Sequence, residues 1–240
     1  MASKLLGFIA GIALSLILSF SGNIQAGTHK NKDFHAIHMM MNHGLNMILD
    51  GSSLIMMTEM DIDITFAKDP LVHGNAMIAN GKELIDRAIR GPVMVEMHVK
   101  KKGDATIMDS THQLGELMLK TAYSQGIMQP VEENSIIAKH LHVLHLEANH
   151  ALMMACQGSN MVMIGQADRT NDLQSYSFEQ GHKMMLNART ILLDLLNSAA
   201  LKDMESRILN PEDKALLKYT KKHLINSLDI ANILIRMEFD

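Results

Sequence analysis

A stretch near the start of the chain recurs 107 positions later without a gap. His35-Ala-Ile-His38-Met-Met-Met-Asn42-His43-Gly-Leu45-Asn-Met47 matches His142-Val-Leu-His145-Leu-Glu-Ala-Asn149-His150-Ala-Leu152-Met-Met154, and the match runs on through Gly51-Ser52 with Gly158-Ser159 and Met56 with Met163. A period this long points to a duplicated structural unit rather than a short solenoid repeat. Downstream, Gly81-Lys82 and Ala88-Ile89-Arg90 are echoed by Gly181-His182 and Ala188-Arg189 if a gap is allowed. Thr111-His112 and Thr220 to His223 correspond only loosely. Two units follow, over residues 28–128 and 129–240.

Within each unit the apolar residues recur at helical spacing, and runs of β-branched residues are scarce. The expected fold class is all-α: two duplicated helical-bundle units of about three helices each, packed with pseudo-two-fold symmetry. The expected helices cover residues 33–59, 76–90 and 107–124 in the first unit, and 135–166, 178–198 and 212–237 in the second. Residues 93–99 alternate briefly but follow Gly91-Pro92, an acceptable helix start, and are read as helical. Linkers are expected at 68–75, 100–104, 125–130 and 165–172.

Ahead of the first unit, Lys4, an apolar run from Leu5 to Phe20 and a polar stretch to Ala26 read as a secretory signal peptide over residues 1–26. Periplasmic or secreted placement is expected, with an uncleaved membrane anchor as the alternative. Cleavage after Ala26 leaves a mature chain beginning Gly27-Thr28-His29. An α-amine, two amides and the third-residue imidazole of His29 can wrap a square-planar Cu(II). No stable membrane insertion is expected after cleavage.

Composition narrows the function. The 240 residues include 22 Met and 13 His but one Cys and no Trp. Thioether and imidazole are ligands suited to copper, although Met also fills irregular cores. A net charge of -4, with both signs interspersed, gives no footprint for nucleic acid or an anionic membrane surface. Glycine-rich phosphate loops, nucleophile elbows and His-Glu-x-x-His are absent from the sequence.

On a helical projection His35, His38, Met39, Asn42, Asn46, Leu49, Ser53, Met56 and Met60 lie within roughly 60° of one line. His142, His145, Asn149, Met153, Cys156, Asn160 and Met163 form its counterpart. His-x-x-His puts two rings on one side of a helix a turn apart, so one metal can take both. Further ligands must come from elsewhere, with His182, Met184 and Met185, or His112 and Met118, as candidates. The expected metal ligands are therefore His35, His38, His142, His145, Met39, Met56, Met163, His182 and His29, with copper favoured as the ion. The role fits a buffer, carrier or sensor input rather than a catalyst.

Other readings compete. The histidines and asparagines can form a satisfied polar network between helices. The Met-rich faces can dock a partner protein or hydrophobic ligand, which makes a non-catalytic interaction module the alternative function. Glu147-x-x-His150 and Glu179-x-x-His182 resemble the Glu-x-x-His element of di-iron bundles, but Met40 stands where Glu147 has its counterpart. Haem held by His and Met has no motif behind it.

Overall fold

The computed structural model describes residues 29–62, 64, 69–100, 105–125, 135–167 and 172–239, and among these every element of regular structure is a helix. In chain order they are α1 (His29–Glu59), α2 (Pro70–Arg90), α3 (Pro92–Lys100), α4 (Ala105–Gln125), α5 (Ile136–Ala167), α6 (Asp172–Asn197), α7 (Ala199–Ser206) and α8 (Pro211–Phe239). The expected signal peptide lies outside the described residues, and no described helix is long and apolar enough to cross a membrane.

α1, α5, α8 and α4 touch in a closed ring, each packing on the next, while α2 lies outside against α1 and α6 lies outside against α5. The core is continuous across the ring: Met41, Leu45 and Ile48 of α1, Leu114 and Met118 of α4, Ala148 and Leu152 of α5, and Leu224 and Ile230 of α8 are fully or almost fully buried. Burying several such side chains from each helix is what stabilises helices of this length, since propensity alone leaves them marginal.

α1 with α2 and α5 with α6 approach to backbone contact through glycine. A Cβ on Gly51 would stand 2.5 Å from the Gly74 carbonyl oxygen, and one on Gly158 would stand 2.6 Å from that of Gly181. Neighbouring contacts repeat too: Gly51 meets Met77 and Ile78, and Gly158 meets Met184 and Met185. Gly81, which lies on Gly44, has Ala188 at its 107-residue offset, and Gly44 has Ala151. Gly74 thus makes on Gly51 the contact that Gly181 makes on Gly158, at an ungapped offset of 107, whereas Gly81 lies on Gly44.

Helix boundaries also differ from those expected. α2 starts at Pro70, inside the expected 68–75 linker, because Asp69 caps it by accepting from the Val72 N–H at 3.1 Å and Pro occupies the first turn. Gly74, a residue that reads as loop, is helical because only a missing side chain lets α2 lie on α1. α6 starts at Asp172 rather than 178, and Gly165, expected in a linker, lies in α5 against Gln174 and Phe178 of α6. The helix expected to reach 198 ends at Asn197, where Ser198 begins α7 by accepting from the Leu201 N–H. The helical reading of 93–99 corresponds to α3.

Candidate metal centres at the two ends of the bundle

The polar line along α1 and its counterpart along α5 face each other, and their hydrogen bonds fix an antiparallel register. Asn42 Nδ2 donates to Asn160 Oδ1 at 2.9 Å, Asn149 Nδ2 donates to Ser53 Oγ at 3.0 Å, and Glu59 comes within 3.4 Å of His142. That register brings Met56 level with His145, and Met163 level with His38. Along α1 alone His38 and Met56 are about 27 Å apart by helical rise and can share no ion. The opposing helix puts a thioether at the height of each His pair.

At the first end, where α1 and α4 begin and α5 and α8 finish, His38 is buried and its Nε2 lies 2.8 Å from Thr111 Oγ1. Thr111 gives its own proton to the Ile107 carbonyl, so it accepts from His38 and leaves His38 Nδ1 unprotonated. Burial, and then the neighbouring His35, depress the His38 pKa to about 4. His35 is half-buried, with its pKa also lowered by desolvation. Both line a cavity of about 510 Å³ together with Gln166, Met237 and Glu238. Glu238 accepts from Ser159 at 3.1 Å, yet burial outweighs that bond and raises its carboxyl to about 7.

At the second end Gln125 organises the histidines. Its Oε1 accepts from His145 Nε2 at 2.8 Å and from the Ser52 hydroxyl, and its Nε2 donates to His223 Nδ1 at 2.9 Å. The two rings stack with centroids 4.1 Å apart and planes 6° from parallel. One amide therefore sets both tautomers, with the proton of each ring on Nε2. His145 Nδ1 is left as a bare lone pair, buried and without a partner. His142 Nε2 and Glu59 Oε2 are likewise buried and unpartnered, because their 3.4 Å approach is not aligned as a hydrogen bond. Desolvation dominates here: it holds His223 near 3, drives His145 well below the usual imidazole range with help from His223 and His142, and raises Glu59 to about 7. His142 is lowered by the same cause.

The remaining expected ligands fall differently. Met56 and Met163 are buried at the levels just described, and Met39 is half-buried beside His38. His182 follows Gly181, which sits on Gly158, and so lies about 20 Å along α5 from His145. His29 opens α1, but its side chain lies outside the described residues, as does the expected N-terminus at Gly27. Among the described residues no three His, Cys, Asp or Glu side chains converge on one point. Glu147, His150 and Glu179 are exposed rather than turned into the bundle, which removes the geometry of a di-iron site. Cys156 is fully buried with its thiol pushed up to about 12, and its carbonyl accepts from Asn42.

Glu59, Thr111, Gln125, His223 and Glu238 were not among the expected site residues. Ser52 to Gln125 and Ser159 to Glu238 are matching contacts on helices whose sequences pair only loosely. The signal available was the repeat of Ser52 as Ser159; nothing in α4 or α8 marked their partners. No protein-family model, curated protein or solved structure matches the chain.

Proposed function

We propose that the protein consists of two copies of one helical unit, spanning 28–128 and 129–240, packed about a pseudo-two-fold axis and exported to bind a soft or borderline metal ion, copper first. The matched asparagine bonds and glycine contacts support the duplication, since each obeys the 107-residue offset that relates the two His pairs. One observation carries the metal reading: His145 Nδ1, His142 Nε2 and Glu59 Oε2 are buried ligand atoms with no hydrogen-bond partner, at the level of the Met56 thioether. Leaving such atoms bare costs about 1–3 kcal/mol each, a cost that a bound cation offsets. Two imidazoles and a thioether form a copper-type donor set, and the Glu59 carboxylate balances the charge. At the other end His35, His38 and Met163 form the corresponding set. The role is buffering, carrying or sensing rather than catalysis.

The test is elemental analysis and copper titration of the chain starting at Gly27, beside a variant with His35, His38, His142 and His145 changed to Ala. Binding lost in the variant supports the reading, and a separate Cu(II) event from His29 persists in both. Uptake at the N-terminus alone sinks it.

A second reading, a non-catalytic module docking a partner protein, is favoured by α3, where Val93, Val95 and Val99 are exposed at 49%, 52% and 77%. It predicts partner capture that is independent of metal and lost when these valines become Ser.

A further inference from the structure

Outside the ring, α1, α2 and α3 border a groove of about 520 Å³. Small-molecule sites span roughly 300–1,000 Å³. Ile37 and Met40 line it from α1, Ala88 from α2, Gly91 from the corner after α2, and Val93 from α3. Among the described residues that line it, Arg87 alone is charged.

The same three helices recur as α5, α6 and α7. α1 begins at 29 and α5 at 136, α2 ends at 90 and α6 at 197, and α3 begins at 92 and α7 at 199, so each pair is 107 apart. The inward residues of the two short helices stay apolar and buried, Met94 and Met97 in α3 against Leu201 and Met204 in α7. The residues of the groove change instead. Met40 has Glu147 at its offset, Ala88 has Leu195, Gly91 has Ser198 and Arg87 has Asp194. Leu195 is buried as Ala88 is, so a full side chain fills at α6 the space that a methyl leaves at α2. A carboxylate stands there in place of the Met40 thioether, and the charge at the rim is reversed. The shared helices are built equally well with either set, so packing alone does not account for the difference.

We infer that the groove binds a single-chain amphiphile carrying one carboxylate, its alkyl chain laid on Ile37, Met40, Ala88 and Val93 and its headgroup on Arg87. Covering apolar side chains supplies the affinity, and the unbranched thioether of Met40 adapts to the chain. Arg87 is exposed and paired with Glu83 one turn back. Exposed pairs of this kind contribute little, and a guanidinium has N–H donors to spare for a second carboxylate. Asp194 would repel the same headgroup at α6. The site uses none of the residues assigned to the metal and requires no protein partner.

The experiment titrates the metal-free chain starting at Gly27 with dodecanoate below its micellar concentration, reading heat and the shift of the thermal melt. One saturable event per chain is expected, since the corresponding place on α5, α6 and α7 is filled. Dodecyltrimethylammonium, the same chain with a cationic head, should bind at least about tenfold more weakly. Met40→Glu, Arg87→Asp and Ala88→Leu each install the residue found 107 positions later, and each should weaken dodecanoate binding by about tenfold or more. Thermal melts without ligand check that the variants fold; Met40 is half-buried and Arg87 exposed, so these two carry the test should Ala88→Leu fail to fold. Val95→Ser combined with Val99→Ser, outside the groove, should leave binding unchanged, which separates this site from partner capture by α3. Absence of saturable binding, two equal sites per chain, or parental affinity in Met40→Glu and Arg87→Asp overturns the ligand site. So does self-association of the parent, read by sedimentation velocity, that Met40→Glu abolishes and dodecanoate leaves untouched, because the occupant is then a second copy.

Discussion

Asn42 and Asn149 do for each other's helices the same thing: Asn42 Nδ2 donates to the Cys156 carbonyl at 3.4 Å, and Asn149 Nδ2 donates to the Leu49 carbonyl at 3.3 Å. Each also reaches a side chain one turn further on, Asn160 or Ser53. These buried amides pin the antiparallel register of α1 on α5, on which the level placement of Met56 and His145 depends. Replacing either by Leu should cost about 1–3 kcal/mol, the range for stranding buried hydrogen-bond partners. The two lie about 15 Å apart along the pair, so the double variant should be close to additive. Urea unfolding of the two single variants and the double variant checks both statements; a neutral Asn42→Leu would mean that apolar packing sets the register.

Gly51→Ala gives a sharper sign. In an open helix the change would stabilise by about 1 kcal/mol. Here the new methyl meets the Gly74 carbonyl oxygen, a backbone atom that cannot swing away. A net loss of about 1–3 kcal/mol is expected, the usual cost of overpacking. Gly158→Ala should behave alike against Gly181. Thermal melts showing either variant at or above the parent would refute the close packing.

The histidines make acid the weak side of the apoprotein. His38 and His223 have folded pKa values depressed to about 4 and about 3, against an ordinary 6.5. As pH falls below 6.5 the unfolded chain takes up protons that the folded chain refuses, so stability drops through that window until the folded pKa values are reached. Glu59 and Glu238 act oppositely: raised to about 7 from 4.5, they are protonated when folded and ionised when unfolded between those values, so their share of stability grows as pH falls from 7 to 4.5. Asp50, raised by burial to about 6 from 3.8, acts in the same sense as the two glutamates down to its ordinary value. The two effects therefore oppose each other between about 6.5 and 3.8, and urea midpoints of the metal-free chain should change gently from pH 7 to 5 and fall steeply below about pH 4. A His223→Gln variant should fall less steeply there; equal slopes would show that His223 is not the titrating group.

Much of this architecture was legible because α1 and α5 carry their interface in a contiguous repeat, and helical periodicity turns that repeat into a face. The starts of α2 and α6 are not legible because Gly74 and the segment before Phe178 resemble linker; Asp69 and Pro70 start α2, and the glycines let both helices lie close on their neighbours. The His pairs and both methionines at their levels were visible in the sequence. Gln125 and Glu238 were not, because they contact residues more than seventy positions away on helices with little mutual similarity. His182 entered as a residue of a neighbouring helix able to complete a ligand set, and only the glycine contact shows that it lies far along α5 from His145.

Methionine is where the metal reading meets its most selective test. Met56 and Met163 are buried, so Leu at either position keeps the volume and should cost under about 1.5 kcal/mol of stability. A purely structural methionine would show nothing further. If the thioether is a ligand beside the imidazoles, Met56→Leu should weaken Cu(I) binding at the His145 end by about tenfold or more, close to 1.4 kcal/mol. Zn(II) binding, which relies on nitrogen and carboxylate donors, should change little. Met163→Leu should do the same at the His38 end. Competition titrations against a Cu(I) chelator read both, and equal Cu(I) affinities in the parent and the two variants would assign these methionines to the core alone.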